Sequence, residues 1–139
     1  MEPNIWGPPA WVFLHSITFQ YPENPTDLDK QKYYTFFNSL KNVLPCPKCK
    51  EHYASNFLTT QINLESRTSL IEWLIDLHNE INRMNGKKIL SYDEVYHIYN
   101  EIYDENQDSF IKNNYISIIS FILLIFVCLY YYKNYYVKK

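Results

Sequence analysis

Eighteen consecutive residues, Tyr115 to Tyr132 (YISIISFILLIFVCLYYY), carry no charge and are mostly apolar. As a helix rising about 1.5 Å per residue, a run of this length approaches the ~30 Å hydrocarbon core of a bilayer. A buried core helix would also satisfy it, but only seven residues follow, too few to form an element that covers it. Tyr130, Tyr131, Tyr132 and Lys133 have the aromatic and cationic character of a membrane interface. The expectation is a transmembrane helix at 115–132 with a short basic tail at 133–139. The rest of the chain has room for one domain.

Residues 1–112 hold all 15 acidic residues and 10 of the 13 Lys and Arg, an excess of five negative charges. A nucleic-acid footprint needs a basic stripe instead, so no nucleic-acid partner is expected. The opening MEPNIWGPPA has neither the basic start nor the apolar core of a cleavable signal peptide.

Up to residue 103 the apolar spacing is helical. Pro8 and Pro9 suit the opening of a first helix, which then carries Trp11, Leu14, His15, Thr18 and Phe19 on a common side. A second helix is predicted from about Asp27 to Val43, with Tyr33, Phe36, Phe37, Leu40 and Leu44 as its stripe. A third begins at the cysteines and continues through Tyr53 and Phe57. The longest is expected to open on a capping box of Ser69 and Glu72, with Leu70, Leu74, Leu77, His78 and Ile81 facing inward and Gly86 at its end. Ser91 with Glu94 opens a short fifth helix through Tyr103, and 104–114 reads as a polar connector. With no strand pattern, phosphate-binding glycine loop or repeat, the fold class is all-α, a small helical bundle at 1–103.

Only three cysteines occur, and two of them, in Cys46-Pro47-Lys48-Cys49, stand three apart. That is too few for a secreted disulfide framework, and Cys128 lies inside the apolar run as a small hydrophobe. At a helix N-terminus the pair can form an exchangeable disulfide, with the helix end, Lys48 and Lys50 all favouring the thiolate. A zinc site would need four ligands; His52 can be a third, and the fourth would come from elsewhere. Haem attachment needs His where Lys50 stands, and a thioredoxin-like site needs a preceding strand.

Trp11 and His15 stand four apart on one helical face, as do His78 and Asn82 on another. A core tryptophan or a satisfied core histidine explains each alone. Together, beside a CxxC, they suit a planar aromatic cofactor: rings to stack on, polar groups for its edge, and Lys87 and Lys88 for phosphates.

Three motifs, WGPPAWVFLH (Trp6 to His15), PCPKCKEHY (Pro45 to Tyr53) and HNEINRMNGKK (His78 to Lys88), make the chain resemble the FAD-linked sulfhydryl oxidases of the Erv/ALR type. The short viral members are the most similar. The resemblance implies a four-helix bundle plus a short fifth helix, usually a homodimer, with one non-covalent FAD per subunit. By matching position, Cys49 neighbours the flavin and Cys46 meets incoming thiols. Gly7, Trp11 and His15 line the FAD; His78, Asn79, Asn82, Lys87 and Lys88 lie opposite, and His52 and Tyr53 pack nearby. The implied activity is oxidation of thiols by oxygen to a disulfide and hydrogen peroxide.

Many relatives add a shuttle disulfide on a flexible arm, and this chain has none; Leu44 also stands where cellular members often have Tyr. The electrons then come directly from a protein dithiol substrate or from a small thiol relay protein, the relay being favoured. The lysines after the apolar run favour a cytoplasmic tail by the positive-inside rule. Insertion after synthesis instead leaves the catalytic domain cytosolic, in host cytoplasm or virion for a viral member, and this is the expectation. The rival reading is a non-enzymatic, membrane-anchored helical adaptor with a zinc-bound CxxC.

Overall fold

The structure, a computed structural model, describes residues 1–136, with side chains described except at 104–113, 116 and 136. Five helices follow in order: α1 (Pro3–Phe19), α2 (Asp27–Val43), α3 (Pro47–Thr59), α4 (Arg67–Met84) and α5 (Tyr92–Tyr136). The described residues contain no strand. The chain divides into two units, Met1–Val95 and the part from Tyr96 onward. In the first, α1 packs on α4, α4 on α3, and α3 on α2, the bundle that the helical spacing predicts.

Helix α1 starts five residues before the prolines that were expected to open it. Pro3 takes the first-turn position, and Pro8 and Pro9 sit inside the helix. Their missing N–H groups leave the carbonyls of Asn4 and Ile5 without their helical donors. Both residues are exposed, so water can satisfy them. Helix α2 has the predicted bounds, opened by a capping box in which the Thr26 hydroxyl accepts from Asp29 N–H and the Asp29 carboxylate accepts from Thr26 N–H.

The cap of α4 is Ser66, not the predicted Ser69 with Glu72; the Ser66 hydroxyl accepts from Ser69 N–H at 3.1 Å. Tertiary contacts explain the earlier start. Arg67, the first helical residue, donates from Nε to the Tyr21 carbonyl and from Nη1 to Glu23. Tyr21, fully buried, donates its hydroxyl to the Leu64 carbonyl at 2.9 Å. These bonds hold the α1–α2 turn against the α3–α4 link.

The core joins α2, α3 and α4 through aromatic edges. Trp73 meets Phe37 at 5.0 Å between ring centroids and Phe57 at 5.8 Å, both near perpendicular, the geometry aromatic quadrupoles favour. Tyr53, also buried, donates its hydroxyl to the Phe37 carbonyl at 3.0 Å.

The predicted Ser91–Glu94 box opens α5, but the helix does not end at Tyr103. It runs unbroken through 104–114 to Tyr136. That polar segment has no Gly or Pro, so nothing in its backbone chemistry stops a helix already nucleated on one side. Within α5, Ser117–Tyr135 is long and apolar enough to cross a membrane, and none of it is buried in the protein. Lys133 lies on α5, whereas Val137, Lys138 and Lys139 are outside the described residues.

Candidate functional site

Helices α1 and α4 bring two of the predicted groups together. The Trp11 indole stacks on the His78 imidazole, 3.7 Å between centroids and 7° from parallel. His15, one turn after Trp11 and almost fully buried, lies with Nε2 3.3 Å from His78 Nδ1. Two neutral imidazoles can share that contact only as one donor and one acceptor.

The electrostatics keep the pair neutral. Burial, reinforced by the neighbouring His78, lowers the His15 pKa to about 3. Burial, then the positive charge of Lys87, lowers that of His78 to about 4. Lys87 is therefore close enough to act on this cluster.

Its placement comes from the end of α4. Gly86 adopts φ +63°; its N–H donates to the Arg83 carbonyl and the Lys87 N–H to the Asn82 carbonyl at 2.9 Å. These two bonds form a Schellman motif, which folds the chain back over the last turn. Asn82, half-buried, lies one turn from His78.

On α1, Gly7 continues the face of Trp11 and His15. A Cβ added there would meet nothing within 4 Å, so there is room for a ligand to approach the helix backbone. Flat rings, neutral imidazole edges, an amide, an open glycine and an exposed ammonium together suit a planar ligand that carries phosphate.

Other predicted positions have different occupations. The Asn79 carboxamide clamps Leu90, donating to its carbonyl at 2.8 Å and accepting from its N–H at 3.1 Å. The Lys88 ammonium bonds Glu94 at 2.7 Å and, with Ser91, brings the Glu94 carboxylate to a pKa of about 2. Tyr53 uses its hydroxyl within the core, and burial raises its pKa well above the ordinary value. His52 is half-buried on α3, its carbonyl accepting from the Asn56 amide. Trp6, which helical spacing does not single out, has its Nε1 as a buried donor with no hydrogen bond among the described residues.

Cys46 and Cys49 form a disulfide with Cα atoms 5.1 Å apart. Pro47 supplies the first residue of α3 and Cys46 is its N-cap, its Sγ accepting from Cys49 N–H at 3.2 Å. Once the bond is opened, that N–H and the helix end favour a thiolate at Cys46. No group of three or more metal-ligating side chains comes together among the described residues. Cys128 is a free, exposed cysteine inside the apolar span of α5.

Residues 8–104 match the Erv1 / Alr family. A probable FAD-linked sulfhydryl oxidase, R368 of Acanthamoeba polyphaga mimivirus, is 48% identical over 98 residues, 68% of each chain. The FAD-linked sulfhydryl oxidase ERV1 of Arabidopsis thaliana is 30% identical over 89 residues, 64% of this chain but 47% of the plant protein. Thus the match spans about two thirds of the viral relative and under half of the plant one. Among solved structures, the FAD binding domain of Erv1 from Saccharomyces cerevisiae superposes with a TM-score of 0.63 at 28% identity, covering 66% of this chain and 87% of that one.

Proposed function

The chain belongs to the Erv1/Alr family, and on that premise we propose that it is a FAD-linked sulfhydryl oxidase that forms disulfides in partner proteins. The observation that carries the reading is the Cys46–Cys49 disulfide at the N-cap of α3, in a bundle that also gathers Trp11, His15, His78 and Lys87.

A partner thiolate attacks Sγ of Cys46, a mixed disulfide forms, and Cys49 leaves as thiolate. The partner's second thiolate then displaces Cys46. The partner has lost two electrons and two protons, and the cysteine pair holds the electrons as a dithiol. When bound, FAD supplies the two-electron acceptor between that dithiol and oxygen, which leaves as hydrogen peroxide. Gly7, Trp11, His15, His78, Asn82 and Lys87 are the residues that would hold it. In this assignment Trp11 and the neutral histidines face the ring system, and Lys87 faces the phosphates.

The same reading includes a membrane anchor in α5, a catalytic unit on the cytosolic side, a homodimer, and a separate thiol protein as the electron source. The apolar, exposed Ser117–Tyr135 stretch supports the anchor. The decisive experiment is spectroscopic. Purified protein should be yellow, lose its flavin absorbance with dithiothreitol under argon, and regain it in air as peroxide appears. Colourless protein would refute the proposal. Cys46→Ser should keep the flavin and lose dithiol turnover.

A further inference from the structure

Charge is distributed around the disulfide in a way that thiolate stabilisation does not fully explain. Between Asp29 and Glu51 the chain has five lysines and no acid, although residues 1–112 are acidic overall. Lys30 is taken up by an ion pair with Glu65. Lys41, Lys48 and Lys50 form no ion pair among the described residues, and all three lie within five residues of Cys46, where the one acid is the exposed Glu51.

α2 opens on Asp27 and Asp29 and α5 on Asp93 and Glu94, as the positive end of a helix favours. α3, like α1 and α4, has no acid in its first turn; Lys48 and Lys50 stand there, against the dipole. Lys41 stands in the last turn of α2, five residues before Cys46. Between Lys41 and Lys48 the chain exposes Asn42 and three apolar residues: Val43 is 66% exposed, and Pro45 and Pro47 flank Cys46 in the open.

We propose that this basic, apolar-centred surface around Cys46–Cys49 docks an acidic segment of a partner protein, one whose cysteine pair is flanked by Asp and Glu. The inference rests on the thiol-oxidase reading and narrows its substrate class. Carboxylates beside the incoming thiol meet Lys41, Lys48 and Lys50, while residues 1–112 as a whole carry an acidic excess. Attraction of this kind acts mainly on encounter rate and is screened by salt.

The test uses the full-length, flavin-loaded protein and three peptides, each a Cys-x-x-Cys flanked by Glu, Gln or Lys. Peroxide release gives kcat/KM at ionic strengths of about 0.01 M and about 1 M, where the Debye length shrinks from ~30 Å to ~3 Å. The Glu peptide should exceed the Gln peptide about tenfold at low salt, the Lys peptide should fall below both, and the three should converge at high salt. Lys41→Glu should shrink the preference for the Glu peptide over the Lys peptide severalfold and leave dithiothreitol turnover unchanged; Lys41→Gln, gentler on α2, should shrink it less. Equal kcat/KM for the three at low salt, or an order unaffected by salt, would overturn the proposal. Serine versions of the peptides, followed by fluorescence anisotropy, separate docking from chemistry. If they bind in the expected order but no thiol is oxidised, the oxidase reading fails and the docking surface stands.

Discussion

The histidine pair and the lone cysteine of the apolar span each have a measurable signature. His15 and His78 bind protons less readily in the folded chain than in the unfolded one, because burial opposes the charged form of each. As pH falls below 6.5 the unfolded chain takes up protons first, so stability is full above 6.5 and declines toward the folded values near 4 and 3. The unfolding midpoint should drop steadily across that window; a level midpoint between 6.5 and 4 would refute a neutral imidazole pair. Cys128→Ser should leave dithiol turnover unchanged, since that cysteine lies in the apolar span; loss of turnover would make it part of the redox path. Helical spacing made it legible that Trp11, His15 and His78 lie on inward faces. It did not show that the indole would stack on His78, because the meeting of two faces depends on how α1 and α4 pack. Asn79 was unreadable for a similar reason: its clamp on Leu90 depends on where the chain returns after Gly86.

The helices differ in how plainly their limits were written. Thr26 with Asp29, Cys46 with Pro47, and Ser91 with Glu94 are local signals, and the structure uses all three. α4 starts elsewhere because Arg67 is held by Tyr21 and Glu23, residues more than forty positions away. No window of sequence contains that contact. α5 outran its expected end because polar composition alone does not break a helix. The end of α4 gives a prediction of its own. Gly86→Ala meets no steric neighbour, so its cost is the left-handed backbone, roughly 1–2 kcal/mol in chemical unfolding. It should also loosen flavin binding by shifting Lys87, read as a higher dissociation constant for released FAD. Trp73, which the predicted stripe of α4 omitted, sits between Phe37 and Phe57. Trp73→Ala should cost about 3–5 kcal/mol by emptying that position, measured in the same unfolding experiment.

For the whole molecule, α5 carries a stretch long and apolar enough to cross a membrane, and the proposed anchor can be tested apart from the chemistry. Full-length protein should stay with membranes through alkaline extraction, and a version ending at Tyr115 should be soluble and still oxidise dithiothreitol. Retention of that shorter version on membranes would assign the anchoring elsewhere. In sealed vesicles the catalytic unit should be cut by added protease; protection would reverse the proposed orientation. Of the chain's three cysteines, only Cys46 and Cys49 are joined as a reducible pair. Mixed with excess partner in the absence of air, each chain can therefore store one electron pair on its cysteines and one on its flavin before it stalls. Disulfide output should then track oxygen supply with almost no lag, so a local fall in oxygen would idle the enzyme after two turnovers.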